Sequence, residues 1–250
     1  MSNNLTVVNG HLQFPTVTLI EQTTSTYLHI AAEVDKGLTF LPDSHAKKGL
    51  IARCKSWCAL LTTEPGVIDA SVFTAILIPP IPEAFLAKRR DSVHVARFDL
   101  AVLIECKNKE VLDDLRRLPA YVAMEKAIRA AASYVHIITA TNPRHIGPVD
   151  HARQGVFLFN YFFADSVEQN LAVWNYTAGW FQSETGLDNS TVLLPDEASR
   201  SQYAIINHCR WNKLLDVLPS LIFKKSFHSY VLDNFAANNV AAMPILYHLA

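Results

Sequence analysis

Gly155 to Gly186, GVFLFNYFFADSVEQNLAVWNYTAGWFQSETG, decides the reading of this chain. A continuous apolar run, Val156 to Phe163, leads into a helix that begins at Asp165 and carries Glu168 three residues on, as in a capping box. The helix stops near Gly186, so the stretch is a strand feeding a helix. Some 120 residues earlier the same punctuation occurs: Asp43-Ser44 opens a helix and Glu64-Pro65-Gly66 closes it. The chain therefore reads as two copies of one unit.

Working outward, the second copy continues with strands at Ser190 to Leu194 and Gln202 to Arg210, a helix from Lys213 to Asn238 and a strand from Met243 to Leu249. In the first copy the apolar positions Leu50, Ile51, Cys54, Trp57, Cys58 and Leu61 follow the period of an amphipathic helix over Ala46 to Leu61. Ser71 to Ile78 and Ala96 to Cys106 read as strands joined by a proline-rich, charged excursion, Pro79 to Val95. A helix from Lys109 to Ala132 contains Pro119, which predicts a kink or a split. Tyr134 to Ala140 closes the unit as a strand. The pieces Leu115 to Pro119 and Leu215 to Pro219 lie 100 residues apart, as internal correspondence demands, and Glu105-Cys106-Lys107 answers His208-Cys209-Arg210. At the amino end, Met1 to Phe14 is a polar arm, Pro15 to Glu21 reads as the first strand, and Thr24-Ser25 reads as the cap of a short helix, Tyr27 to Lys36, ending at Gly37. The organisation expected is a first unit over 1–140 with its arm, a linker over 141–154 and a second unit over 155–250.

Composition narrows the function classes. Lys+Arg, 22 residues, balance Asp+Glu, 23, with no basic block or arginine-aromatic stripe, which argues against nucleic acid and acidic membrane surfaces as partners. No run reaches the roughly 18 to 20 apolar residues that span a bilayer, and the start lacks a secretory pattern. The four cysteines, Cys54, Cys58, Cys106 and Cys209, lie in apolar elements without a Cys-x-x-Cys pair, which predicts reduced core thiols and a cytoplasmic protein.

Each unit has the order strand-helix-strand-strand-helix-strand, the ferredoxin-like order. The strands FTAILI, AVLIEC, VHIITA, FLFNYFF, YAIIN and PILYHLA are apolar almost throughout, where a sheet with one wet face would alternate. Both faces must be covered, one by helices and one by the other unit's sheet. The expected fold class is α+β: two tandem ferredoxin-like units whose antiparallel sheets pack as an α/β barrel. In this the chain, over residues 40 to 250, resembles the dimeric α/β-barrel superfamily in fused form. That resemblance implies a range of activities, among them cofactor-free monooxygenases, polyketide cyclases, lactone isomerases and haem enzymes, and does not choose among them.

No P-loop, dinucleotide fingerprint, G-x-S-x-G or H-E-x-x-H is present. The candidates are polar residues inside apolar strands. Asn207 and His208 in one strand, with Asn160 and Tyr161 in its neighbour, offer an imidazole for proton transfer and an amide for an oxyanion or enolate. Glu105, at the position corresponding to His208, supplies an acid in the other half. Trp174 and Arg210 join Asn160 and Tyr161 as ligand-binding candidates. His228, in the last helix, is the natural axial ligand if the resemblance extends to the haem-binding members, with Arg210, Lys224 or Lys225 near the propionates. Arg144, His145, Asp150, His151 and Arg153 cluster in the linker, which reads as a solvated connection or one closing the barrel mouth, and no metal set is complete. The expectation is a hydrophobic small molecule as partner, no cofactor (haem as the alternative), and a monomeric barrel or a homodimer. A non-catalytic binding or scaffold protein is the competing class.

Overall fold

The structure is a computed structural model that describes residues 5–35, 42–79 and 93–250. The first half contains β1 (Thr26–Glu33), α1 (His45–Leu61), β2 (Val67–Leu77), β3 (Leu100–Cys106), α2 (Lys109–Leu115), α3 (Pro119–Ala131) and β4 (Tyr134–Gly147). The second contains β5 (Val156–Ala164), α4 (Val167–Thr185), β6 (Ser190–Pro195), β7 (Ile205–Trp211), α5 (Leu214–Phe223), a π-helical turn (Phe227–Leu232), α6 (Asp233–Ala237) and β8 (Val240–Leu249).

Local chemistry sets the boundaries. The Ser44 side chain accepts from the Lys47 amide at the head of α1, and that of Ser166 accepts from Gln169 at the head of α4. The second cap is thus Ser166 rather than Asp165. Gly186 closes α4 in the left-handed region, φ 67°, where a side chain would be strained. Pro119 splits its helix as its missing amide requires, taking the first-turn position of α3. Pro219 instead lies inside α5, so the two Leu-x-x-Leu-Pro pieces have different local structures.

Two expectations at the amino end are overturned. Thr26–Glu33 is a strand rather than a helix from Tyr27, and Pro15 to Glu21 is not one of the barrel strands. The cause is tertiary: β1 is hydrogen-bonded on both sides, Tyr27 facing Glu105 of β3 and Ala140 of β4, and is buried along almost its whole length. A strand covered on both faces shows no alternation to read. Lys36 and Gly37, the expected helix end, and most of the proline-rich excursion lie outside the described residues. The arm before β1 crosses to the second half, where Asn234 and Asn238 bond the backbone of Val8 and Thr6 in both directions.

The eight strands close into one barrel in the order β1-β3-β2-β8-β5-β7-β6-β4. Each half keeps the ferredoxin-like order, β4-β1-β3-β2 and β8-β5-β7-β6, and the halves join edge to edge. One joint pairs Phe73 with Leu249 and Thr74 with His248, and the other runs from Ala140 opposite Pro195 to Gly147 opposite Ser190. That second joint is why β4 continues to Gly147, through half of the stretch read as linker. Inside, Phe73, Phe98, Phe157, Phe159, Tyr161 and Tyr247 form one aromatic cluster. Outside, Leu28, Ile30, Val102 and Ile104 pack on α1 and α3, while Phe162, Val192 and Ile205 pack on α4 and the helices after it. At about 25 cal/mol per Å² of apolar surface, covering both faces of every strand is the dominant stabilisation and explains their uniformly apolar sequence.

Candidate functional site

Successive side chains on a strand point to opposite faces, and this separates the residues expected to act together. Asn160 and Asn207 are register partners on β5 and β7 and face outward beneath α4. Tyr161 and His208, each next in sequence, face the barrel interior. Asn207 and His208 therefore do not form one constellation.

The outward pair lines a cavity of about 30 Å³ between sheet and helices, with Leu158, Phe162, Trp174 and Trp211 among its walls. At roughly 10 to 15 Å³ per water it holds about two waters as it stands. Ser190 donates to Asn207 Oδ1 at 2.6 Å, whereas Asn160 Oδ1 is buried with no partner. An unpaired buried carbonyl costs about 1–3 kcal/mol, so the cavity presents a vacant acceptor in apolar surroundings. The burial of Cys209, on the same wall, pushes its thiol far above the ordinary range.

His208 ends a line of three close polar contacts that no sequence pattern announces. Its Nδ1 bonds the Leu158 carbonyl at 3.0 Å and its Nε2 lies 2.8 Å from Nε2 of His151. His151 Nδ1 in turn lies 2.8 Å from Oδ2 of Asp69 on β2. Burial and the adjacent His151 lower the His208 pKa well below its usual value. Burial alone would raise Asp69, but the hydrogen bond and charge of His151 outweigh it and hold the carboxyl below its usual value. Asp69 sits on a bulged strand end just outside the run read as strand, and His151 belonged to the loop cluster. The fold alone brings them to His208.

Two more histidines are sealed in the interior. His29 stacks on Phe159, whose other stacking partner is His208, and bonds Tyr161 Oη at 3.0 Å. His136 bonds Ser201 Oγ at 3.1 Å. Burial first, then a neighbouring histidine, lowers their pKa values to about 3 and about 4. His29 was hidden in the stretch read as helix.

The remaining candidates are dispersed. Glu105 is half-buried, accepting from Ser25 at 2.6 Å and Tyr27 at 3.2 Å, and β3 is four strands from β7 around the barrel. Arg210, 8% exposed, donates to the Gln154 carbonyl and Asn212 and lines a separate polar cavity of about 220 Å³ with Arg153, Asp188 and Asn189. His228 is exposed on the π-helical turn and absent from the walls of either cavity. The cavity under α4 is an order of magnitude below the roughly 300–1,000 Å³ of ordinary ligand sites. Among the described residues no group of three or more His, Cys, Asp or Glu is placed to hold a metal ion, and no helix is long and apolar enough to cross a membrane.

No family model matches the chain, and no curated protein matches it. Solved structures do. An anthrone oxidase-like protein aligns with a TM-score of 0.61 at 11% identity, covering 93% of this chain and 94% of that one. A "putative monooxygenase" from Fusobacterium nucleatum aligns at 0.57 and 8% identity, covering 91% and 93%. Another from Lactobacillus acidophilus NCFM aligns at 0.52 and 9% identity, with the same coverage. At these identities the likeness is one of fold: a closed barrel built from two fused ferredoxin-like halves.

Proposed function

We propose that the second half binds a planar hydrophobic small molecule between the outer face of β5 and β7 and helix α4, and acts on it without a bound cofactor. The observation that carries this reading is the partnerless Asn160 Oδ1, a hydrogen-bond acceptor in an apolar cavity walled by Trp174. A ligand hydroxyl satisfies it, and the Asn207 amide beside it offers a donor to an oxyanion. The present volume is too small for such a ligand, so entry requires α4 or the π-helical turn to give way; π-bulges of this kind concentrate at functional sites. The cavity walls carry no carboxylate and no imidazole. A substrate there must ionise readily by itself, which favours an anthrone-like ring that reacts with O2, one oxygen atom entering the ring methylene and the other leaving as water. The fold shared with an anthrone oxidase-like protein supports the same reading by analogy alone.

Titrating the protein with anthrone, or with 2-naphthol as an inert probe, should quench the fluorescence of Trp174 and Trp211. Asn160→Leu, close in volume, should weaken binding about tenfold, the effect of roughly 1.4 kcal/mol. An oxygen electrode then separates turnover from storage. A protein that neither quenches nor distinguishes the variant overturns the proposal. A stable protein partner recovered with a closed, empty barrel would favour the scaffold class.

A further inference from the structure

The partners along the line from Asp69 to His208 fix the tautomer of both rings. The Leu158 carbonyl can only accept, so His208 Nδ1 carries a hydrogen, and the Asp69 carboxylate likewise assigns one to His151 Nδ1. When both rings are neutral, each Nε2 is a bare lone pair. Those two lone pairs face one another across 2.8 Å, which is repulsive unless a cation lies between them.

We propose that the Nε2 atoms of His151 and His208 form a two-histidine site for an imidazole-preferring transition ion, copper or zinc. The surroundings are those a metal-bound histidine has: the second nitrogen of one ring is held by a carboxylate and that of the other by a backbone carbonyl, fixing tautomer and orientation. Phe73, Phe157 and Phe159 pack against the two rings. Asp69 supplies the counter-charge and, with a side chain 32% exposed, marks the entry route; the His151 side chain is 12% exposed. Metal–nitrogen bonds of about 2.0–2.1 Å at a tetrahedral angle separate the two nitrogens by about 3.3 Å, so the gap widens by about half an ångström. His151 can yield that distance because it stands between β4 and β5 on a segment without regular structure. No third protein ligand is placed among the described residues, which leaves coordination positions open to water or a small donor molecule. The site is independent of the cavity under α4, since His208 and Asn207 lie on opposite faces of β7.

The test uses the full chain, stripped with a chelator and titrated separately with Zn2+ and, under anaerobic conditions, Cu+, with bound metal counted by mass spectrometry. One equivalent should bind with one or both ions, and the ion that binds identifies the class. His151→Ala, a substitution in the connecting segment that leaves the barrel strands intact, should abolish the uptake. Asp69→Asn should weaken it about 10- to 100-fold, the range for loss of an outer-shell partner. His228→Ala, an exposed position elsewhere, should leave it unchanged. Absence of uptake with both ions, or uptake that survives His151→Ala, overturns the proposal and assigns the position between the rings to a shared proton.

Discussion

At the scale of single residues, the most consequential feature is the burial of neutral histidines. His29 and His136 have pKa values lowered to about 3 and about 4, against 6.5 for an exposed imidazole. Because the folded values are depressed, the unfolded chain binds more protons below pH 6.5, and stability falls as the pH drops from there towards 4. Each group contributes up to about 1.4 kcal/mol per pH unit in that window. Between pH 7 and pH 5 the two together should cost on the order of 4 kcal/mol, read as a fall in the urea midpoint. His136→Asn should remove its own share of that fall, about 2 kcal/mol. A midpoint independent of pH over this interval would show that these rings are hydrated or charged in the fold.

At the scale of elements, α4 is the wall of the candidate cavity, and the amino-terminal arm lies across it. A Cβ built on Gly179 of α4 would come within 1.7 Å of the Pro15 carbonyl oxygen, so only glycine permits this approach. Leu5, Leu12 and Phe14 add apolar contact with the same cluster as Trp174 and Trp180. Gly179→Ala should therefore displace the arm while sparing the helix, which alanine favours. The expected result is rapid proteolytic nicking between residues 5 and 20, with a stability loss of about 1–3 kcal/mol, the usual range for overpacking. A variant as resistant to protease as the parent would mean that the arm can shift without letting go.

At the scale of the whole molecule, both joints of the barrel are made within one chain, β2 with β8 and β4 with β6. The barrel is complete in a monomer, and a second copy would have to use a surface outside these joints. Residues 155–250 expressed alone would expose the edges of β6 and β8 and an inner face carrying Phe157, Phe159, Tyr161 and Tyr247. Such edges and apolar faces seek a partner, so the fragment should aggregate or pair with itself, which sedimentation would report. A stable monomeric fragment would contradict the account given of what covers the inner face.

The sequence by itself determined the repeated ferredoxin-like order, the helix caps, the split at Pro119 and the barrel, because these rest on local signals: serine before a helix, a proline's missing amide, strands apolar on both sides. It also placed Asn160 and Asn207 on neighbouring strands. Only the tertiary structure decided that β1 is a strand, since a doubly covered central strand carries no alternation, and that β4 runs on through the polar stretch to Gly147 to close the ring. It separated Asn207 from His208, although the two-residue period of a strand already required that. Asp69, His151 and His208 come from a strand end, a connection and a buried strand, 57 and 82 residues apart along the line. No local pattern links such positions, because what brings them within hydrogen-bonding distance is the closure of the barrel.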